Sequence, residues 1–322
     1  MKNIKIAILG LGTVGGGTYQ ILKENRELIA ARCGCTFEVA KVLERDHARL
    51  EALGLDPAIA VTDPQLIFDD PEIRIVVEAL GGIDFPAGLM LAAMQAGKSV
   101  VTPNKAAVAA NFDRLRACAA ENGVQFRFEA SVGGGIPALT AIQEALSANA
   151  FTEVMGIVNG TTNYILTKMA DEGLAYEEVL KDAQAKGFAE ADPTADVEGI
   201  DVANKLSILM ALCFGTYVPP TEIPREGITK VTMADLEAAK EQGCRIKLIA
   251  SAKKDTDGSL TYSVKPQLIP ASHPLAGVNN EFNAIYVTGN AVGELMFYGK
   301  GAGALPTGSA VCGDIIAIAK TL

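Results

Sequence analysis

The amino-acid sequence predicts an α/β protein with two domains: a doubly wound parallel sheet, and an α+β domain with a mostly antiparallel sheet. Strand-like and helix-like segments alternate up to about residue 131, which is the order that builds a parallel sheet. After the triple glycine at 133–135 this alternation stops, and several strand-like segments follow with only a few helices. The chain has 322 residues, of which 49% are hydrophobic, so each domain has enough apolar side chains for a core.

The first domain begins with an apolar strand and a glycine-rich turn. Residues 4–9, "IKIAIL", are typical of a buried strand, and residues 10–17 lead into a helix that we expect to extend to about residue 31. Further strands are predicted at residues 36–45, 73–80, 98–104 and 124–131, with helices at 86–96 and 105–121.

The second domain is predicted to start with a strand and three helices. The strand covers residues 151–160, and the helices cover residues 161–171, 176–186 and 199–214. Strand-like segments follow at 245–254, 260–269, 283–289 and 294–299, and residues 309–320 form an apolar helix that we expect to return to the first domain. We therefore assign residues 1–131, completed by 304–322, to the first domain and residues 132–303 to the second.

The glycine-rich turn has the spacing of a dinucleotide-binding motif. Gly10, Gly12 and Gly15 form G-x-G-x-x-G between a strand and a helix, which is the context that the motif requires. These glycines permit a tight turn and let a pyrophosphate approach the helix N-terminus. The first domain is therefore predicted to be a Rossmann-type domain that binds NAD or NADP.

The end of the second strand bears on the choice between these two cofactors. An acid there, Glu44 or Asp46, can bind the ribose hydroxyls of NAD, whereas Arg45 or Arg49 can neutralise the 2′-phosphate of NADP. The two kinds of residue interleave, so the sequence leaves the choice open and favours NADP slightly, through Arg45.

Charge and apolar patterning argue against nucleic-acid and membrane partners. The chain carries 28 Lys and Arg against 38 Asp and Glu, a net charge of −10, which disfavours binding to phosphate backbones or anionic membranes. No apolar run is long enough for a membrane span, and the N-terminus lacks a signal-peptide cleavage pattern.

The numbers and spacing of cysteines and histidines argue against disulfide, zinc and histidine-dependent sites. The 6 cysteines lack the spacing of a disulfide framework, which indicates free thiols in a reducing cytoplasm. With only 2 histidines, a His-rich zinc site or a His-dependent triad is not expected. Lys, Asp and Glu are the expected proton-transfer groups.

A charged pair stands at the start of the apolar helix 199–214. Asp201 and Lys205 are four residues apart, and almost every other side chain of this helix is apolar. An exposed pair would be an ordinary surface salt bridge, and a buried one could be purely structural. Because desolvating two ions costs several kcal/mol, we favour a third interpretation, in which the pair works in a catalytic site.

Other groups are expected near that pair. The loop before the helix carries Glu190, Asp192, Asp196 and Glu198, an acidic cluster suited to a substrate ammonium group, although some of these acids can instead serve the helix dipole. Lys105 follows the strand 98–104 at the sheet edge where ligands bind in open α/β folds, although it can also be a surface residue at a helix start.

Three loops offer backbone groups. "NGTTN", residues 159–163, lies between a strand and a helix, so Asn159, Gly160, Thr161 and Thr162, with free N–H groups, can bind a carboxylate, or the segment can simply cap the helix. "EASVGGGIP", residues 129–137, can coordinate a cation with carbonyls or leave room for a nicotinamide ring. "GKGAGALPTGSA", residues 299–310, can close over the cofactor; we add Gly81, in the turn after strand 73–80, to the cofactor candidates.

These motifs together resemble those of the homoserine dehydrogenase family. The matching segments include "GLGTVGGG", "VVTPNKAAVA", "EASVGGGIP", "GIVNGTTNYIL", "KGFAEADPTADVEGIDVANKLSIL" and "GKGAGALPTGSAV", which span nearly the whole chain. The resemblance implies NAD(P)-dependent interconversion of aspartate 4-semialdehyde and L-homoserine, a step towards threonine and methionine. It also implies a homodimer paired through the second domain.

The resemblance further implies roles for particular residues. Lys205 would be the catalytic proton donor, with Lys105 also in the active site, and Glu190, Asp201 and Asp196 would contact the substrate. The pyrophosphate would be held by Gly12, Thr13 and Val14, and Lys105, Gly187 and Gly303 would lie against the cofactor. The backbone carbonyls of Glu129, Val132, Gly134 and Ile136 would bind a monovalent cation, usually Na⁺.

Two alternatives remain at this level. Another NAD(P)-dependent amino-acid oxidoreductase, such as an aspartate dehydrogenase type, would exchange ammonia, and a nucleotide-sensing regulator would not need the lysines. Many bacterial members of the family continue into a regulatory ACT domain, which we do not expect in a chain that ends at Leu322.

Overall fold

The computed structural model describes residues 2–322, which divide into two compact units. The first unit contains residues 2–135 together with Ala302–Leu322, and the second contains Ile136–Gly301. The fold class predicted from the sequence is confirmed, since one unit holds a parallel sheet and the other an antiparallel sheet.

The first unit is built on a six-stranded parallel sheet. Its strands are β1 (Lys2–Leu9), β2 (Cys35–Leu43), β3 (Ala60–Val61), β4 (Ile73–Glu78), β5 (Ser99–Val101) and β6 (Phe126–Arg127), in the order β3-β2-β1-β4-β5-β6. Because β1 pairs with β2 on one side and β4 on the other, the order of the strands reverses at β1. The carboxyl ends of β1 and β4 therefore border the crevice where ligands bind in such sheets.

Helices cover both faces of this sheet. They are α1 (Thr13–Glu24), α2 (Arg26–Cys33), α3 (His47–Leu53), α4 (Gln65–Phe68), α5 (Asp84–Gln95), α6 (Lys105–Ala110), α7 (Phe112–Glu121) and the C-terminal α13 (Ala304–Ala319). Ile6 and Ile8 of β1 share a core cluster with α13, whereas the alternate residues Ala7 and Leu9 share another with α5 and α7. A central strand buried on both faces explains why "IKIAIL" is almost wholly apolar.

Two of the predicted helices are interrupted at asparagines. The helix expected to extend to about residue 31 ends at Asn25, where ψ is 16°, and α2 begins at the next residue. The helix expected at 105–121 is likewise divided at Asn111, whose ψ is 25°. Asparagine favours such positions because its side chain competes for nearby backbone groups, and the Asn111 Nδ2 donates to the Ala107 carbonyl at 3.2 Å.

The second unit contains a five-stranded antiparallel sheet. Its strands are β7 (Phe151–Ile157), β8 (Cys244–Lys254), β9 (Leu260–Pro270), β10 (Phe282–Gly289) and β11 (Gly293–Lys300), in the order β11-β10-β7-β8-β9. The helices are α8 (Gly160–Glu172), α9 (Tyr176–Ala185), α10 (Thr194–Val197), α11 (Ile200–Phe214) and α12 (Met233–Glu241). Helix α12 was not predicted from the sequence, although it begins with a capping box, a recognisable start signal in which Thr232 and Asp235 bond each other's backbone.

The C-terminal helix begins earlier than expected. We predicted it at residues 309–320, but α13 starts at Ala304 and has Pro306 in its first turn. A proline is tolerated there because the first N–H groups of a helix have no helical acceptor. Within residues 2–322, no helix is long and apolar enough to cross a membrane.

Candidate active site

The Asp201–Lys205 pair lies near the start of α11 in the second unit. The Lys205 Nζ is 2.6 Å from the Asp201 Oδ2 and donates a second bond of 2.6 Å to the Val158 carbonyl at the end of β7. The side chains of Lys205 and Asp201 are only 11% and 8% exposed. The pair is therefore desolvated, and the explanation as a surface salt bridge does not apply.

Asn159 connects this pair to a second carboxylate. Its Nδ2 donates to the Asp201 Oδ2 at 3.0 Å and to the Asp196 Oδ1 at 2.7 Å. Its Oδ1 accepts from the Thr162 backbone N–H at 2.9 Å and so caps α8. One amide group thus holds two carboxylates side by side, which concentrates negative charge suited to an ammonium group.

Thr161 has a different partner from the one expected. Its hydroxyl donates to the Phe188 carbonyl at 2.5 Å and lies 3.4 Å from the Asp196 Oδ2. Carboxylate binding at this helix start would therefore rely on the backbone N–H groups of Gly160 and Thr161, which have no acceptor within the helix. A side chain at Gly160 would meet the Glu281 carbonyl at 2.8 Å, so the backbone there has no space for a Cβ.

Glu190 is a predicted substrate residue whose side chain makes no hydrogen bond to this cluster in the described part of the chain. Its side chain is exposed, and we find no hydrogen bond or ion pair for it within residues 2–322. Its backbone carbonyl accepts from the Gln184 Nε2 at 3.1 Å. Gly187, three residues earlier, has a left-handed φ of 74°, so this loop turns sharply after α9.

The glycine motif of the first unit is close-packed. A Cβ on Gly15 would lie 2.0 Å from the Gly10 carbonyl oxygen, and Gly10 itself has a φ of 91°. Gly12 precedes α1, and Thr13 and Val14 are its first two residues. A turn in which Gly10 and Gly15 leave no space for a side chain, directly before a helix and at the strand-order reversal, fits a dinucleotide pyrophosphate.

A buried carboxyl group lies at the same sheet edge, and the sequence analysis missed it. Glu78 is the last residue of β4 and is fully buried. It accepts from the Thr102 hydroxyl at 2.5 Å and from the Leu80 N–H at 2.7 Å. Burial raises the pKa of Glu78, although these donors oppose the shift. An acid ending an otherwise apolar strand, "IRIVVE", was the available signal.

Thr102 connects Glu78 to the turn that carries Lys105. The Thr102 hydroxyl accepts from the Asn104 N–H at 2.9 Å, and the Asn104 Oδ1 caps α6 at the Ala107 N–H. The Asn104 Nδ2 also donates to the Gly82 carbonyl at 3.0 Å, next to the exposed Gly81. Lys105 is the first residue of α6. The turns after β4 and β5 are thus joined by side-chain hydrogen bonds.

The remaining cofactor and cation candidates occupy loops. Gly303, with a φ of 118°, directly precedes α13. Glu129 and Val132 are buried, and Gly134 has a left-handed φ of 55° that turns the backbone. The predicted cation ligands are backbone carbonyls, and Ile136 belongs to the second unit. Within residues 2–322, no group of three or more His, Cys, Asp and Glu side chains could hold a metal ion.

Comparison with known proteins gives consistent matches. A family model described as homoserine dehydrogenase matches residues 137–316, and one described as homoserine dehydrogenase, NAD binding domain, matches residues 10–129. The homoserine dehydrogenase of Bacillus subtilis is 44% identical over 322 residues, which is 100% of this chain and 74% of that protein.

Solved structures agree with these matches. The crystal structure of a homoserine dehydrogenase from Thiobacillus denitrificans superposes with a TM-score of 0.95 at 44% identity, covering 99% of this chain and 74% of that one. A hyperthermophilic archaeal homoserine dehydrogenase in complex with NADPH gives a TM-score of 0.83 at 29% identity, covering 99% of this chain and 98% of that one.

Proposed function

The chain belongs to the homoserine dehydrogenase family, and from that premise we propose that Lys205 is the acid that completes its reaction. The enzyme is an NAD(P)-dependent oxidoreductase that interconverts L-aspartate 4-semialdehyde and L-homoserine. During aldehyde reduction, negative charge develops on the carbonyl oxygen, and the Lys205 ammonium group stabilises and protonates it. The buried contact of Lys205 with Asp201 supports this role, because the carboxylate holds the ammonium group in place.

Carboxylates hold the substrate ammonium group in this proposal. Asp196 and Asp201 share the Asn159 amide, so their charges are fixed in one place before substrate arrives. Glu190 joins them from its exposed loop. The substrate carboxylate binds the N–H groups of Gly160 and Thr161 at the start of α8. Together these contacts set the direction in which the aldehyde points.

The glycine turn holds the cofactor, which when bound supplies or accepts the hydride. Gly10, Gly12 and Gly15, with the N–H groups of Thr13 and Val14, bind the pyrophosphate. Lys105 and Gly81, in the turns after β5 and β4, would contact the cofactor, and Gly187 and Gly303 are further candidate contacts. Arg45 is the residue that the sequence favours as a ligand of a 2′-phosphate.

A monovalent cation is the second group that we propose. Glu129 and Val132 are buried and Gly134 lies in a left-handed turn, and their backbone carbonyls suit a hard cation that prefers oxygen ligands. Ile136 supplies the fourth carbonyl, and Na⁺ is the expected ion. In this proposal the loop of residues 129–136 only positions its carbonyl groups around the cation, and these groups take no part in the hydride transfer.

The assembly and location complete the proposal. We propose that the enzyme is a homodimer paired through the second unit, where Tyr298 and Met296 of β11 are exposed on the sheet. We also propose that the enzyme is cytoplasmic. The oligomeric state is measured by light scattering of the purified protein.

A spectrophotometric assay tests the function. Purified enzyme with L-homoserine should reduce NAD or NADP, with absorbance rising at the nicotinamide band, and release no ammonium. The aspartate dehydrogenase alternative is not favoured by the comparisons, and it requires ammonium release from aspartate. Nicotinamide reduction with aspartate but not with homoserine would contradict the proposal.

A further inference from the structure

We propose that Glu44 makes this enzyme select NAD over NADP, because its carboxylate lies beside the glycine turn where the adenosine ribose binds. The proposal rests on the dinucleotide site proposed above. It reverses the slight preference for NADP that the sequence favours through Arg45.

Glu44 is placed by the strand that precedes it. It follows the last residue of β2, and its Oε2 accepts from the Leu11 backbone N–H at 3.0 Å. Leu11 lies between Gly10 and Gly12, inside the turn that fits the pyrophosphate. In this fold, an acid at the end of the second strand binds the ribose hydroxyls. The Glu44 carboxylate is therefore at the required place, and its contact with the turn fixes it there.

Backbone groups also hold the other carboxylate oxygen. The Glu44 Oε1 accepts from the N–H groups of Arg45 at 2.9 Å and Asp46 at 3.1 Å. Burial alone would raise the pKa of Glu44, but these N–H groups, the Leu11 N–H and the Arg49 charge together lower it. With its side chain only 11% exposed, Glu44 presents a fixed negative charge and cannot swing away from an incoming phosphate.

The nearest arginine is already engaged by carboxylates. The Arg49 Nη1 lies 3.3 Å from the Glu44 Oε2, and its Nε lies 3.4 Å from the Asp46 Oδ2. A 2′-phosphate would meet two carboxylates and a guanidinium group whose charge they balance. Arg45 is exposed and adds a single charge. Ribose hydroxyls, in contrast, carry no charge, and one of them can take the place of the long Arg49 contact, 3.3 Å, on the Glu44 Oε2.

Equilibrium binding without substrate tests the proposal. NADH and NADPH are titrated into the intact enzyme, and Kd is read from nicotinamide fluorescence. Wild type should bind NADH at least about tenfold more tightly than NADPH. E44S removes the charge and opens space, so the ratio of the two Kd values should shift at least about tenfold towards NADPH. E44Q keeps the size of the side chain and should shift the ratio in the same direction by a smaller factor.

The control is E38S, which removes an exposed glutamate from the same strand, remote from its carboxyl end. It should leave the ratio unchanged. Equal affinities in wild type, tighter NADPH binding in wild type, or an unchanged ratio in folded E44S and E44Q would each overturn the selectivity while leaving the enzyme's function intact. A folded wild type that binds neither dinucleotide would overturn the proposed cofactor site itself.

Discussion

Lys205 and Asp201 lie one turn apart on α11, and their charged atoms meet at 2.6 Å in a part of the second unit that excludes most solvent. On an exposed helix such a pair contributes a few tenths of a kcal/mol. Here both ions lose hydration, which costs several kcal/mol before their attraction offsets it. The proposed role of Lys205 as a positioned proton donor would explain why the chain retains a pair that apolar residues could replace without loss of stability.

Replacing Lys205 should abolish turnover without abolishing cofactor binding. K205M keeps the length of the side chain and removes the proton, so kcat should fall by about 10²–10⁴-fold, the usual contribution of a general acid. The Kd for NADH, measured by fluorescence titration, should remain at the wild-type value, since the glycine turn is unaltered.

The matched control is K168M, which removes the lysine of an exposed pair with Glu172, also four residues apart, on α8. Its kcat should stay at the wild-type value. Wild-type turnover in K205M, or an equal loss in K168M, would contradict the assignment of Lys205.

The cost of burying the pair can be separated from its function by a double-mutant cycle. D201N leaves the Lys205 charge without a carboxylate, so unfolding in urea should show a loss of about 3 kcal/mol. D201N/K205M removes both charges and should recover much of that stability, because no buried ion is left unpaired. The double variant should nevertheless remain inactive. Recovery of activity together with stability would show that the pair is only structural.

Local patterns in the sequence were enough to predict the sheets and the charged helix. The apolar strand followed by G-x-G-x-x-G identified β1 and α1, and the nearly uninterrupted apolar composition of α11 identified a buried helix. These features depend on residues within a few positions of each other, so their periodicity is visible in the chain itself.

Contacts between distant residues were not predictable in the same way. The Thr102 hydroxyl and the Glu78 carboxylate are 24 residues apart and meet only because β4 and β5 are neighbours. The Lys205 contact with the Val158 carbonyl joins residues 47 positions apart. Strand order and helix placement decide such contacts, and a single sequence does not display either directly.

The Glu78–Thr102 contact should matter for cofactor binding. T102V is nearly isosteric but lacks the hydroxyl that donates to Glu78 and accepts from the Asn104 N–H. The turn that carries Lys105 should then loosen, so the KM for the dinucleotide should rise several-fold and stability should fall by about 1–3 kcal/mol. T36V is the control, because the Thr36 hydroxyl that it removes donates to the Asn3 side chain in the exposed part of the same sheet. An unchanged dinucleotide KM in T102V would contradict this positioning role.

Glycine at position 308 should be essential to the packing of α13 on α1. A Cβ on Gly308 would lie 2.8 Å from the Gly17 carbonyl carbon and 2.9 Å from the Thr18 backbone nitrogen, and backbone atoms cannot move aside as a flexible side chain can. G308A should therefore lower the free energy of unfolding by about 1–3 kcal/mol. G313A lies on the same helix with no atom within 4 Å of the added Cβ. G313A should leave the free energy of unfolding unchanged or raise it by about 0.4–1 kcal/mol. Equal effects of G308A and G313A in urea denaturation would refute the packing argument.

A buried lysine should make stability depend on pH in the alkaline range. Lys247 on β8 is 2% exposed and donates to the Val278 carbonyl at 2.6 Å, the Asn163 Oδ1 at 3.0 Å and the Asn279 Oδ1 at 3.2 Å. Burial, with some repulsion from Arg245, lowers the pKa of Lys247 from 10.5 to about 8. The folded state therefore releases its proton at a lower pH than the unfolded chain.

The sign of the effect follows from proton binding. Below pH 8 both states carry the proton, and the contribution of Lys247 to stability is constant and unfavourable. Between about pH 8 and 10.5 the unfolded chain binds more protons, so this contribution to the free energy of unfolding rises with pH, by at most about 3 kcal/mol. K247M cannot titrate and should lack the rise, whereas K253M, an exposed lysine on the same strand, should retain it. Urea denaturation from pH 7 to pH 10 gives the free energy of unfolding of wild type and of each variant. If the difference in this free energy between wild type and K247M stays constant with pH, a lowered lysine pKa is ruled out as the cause.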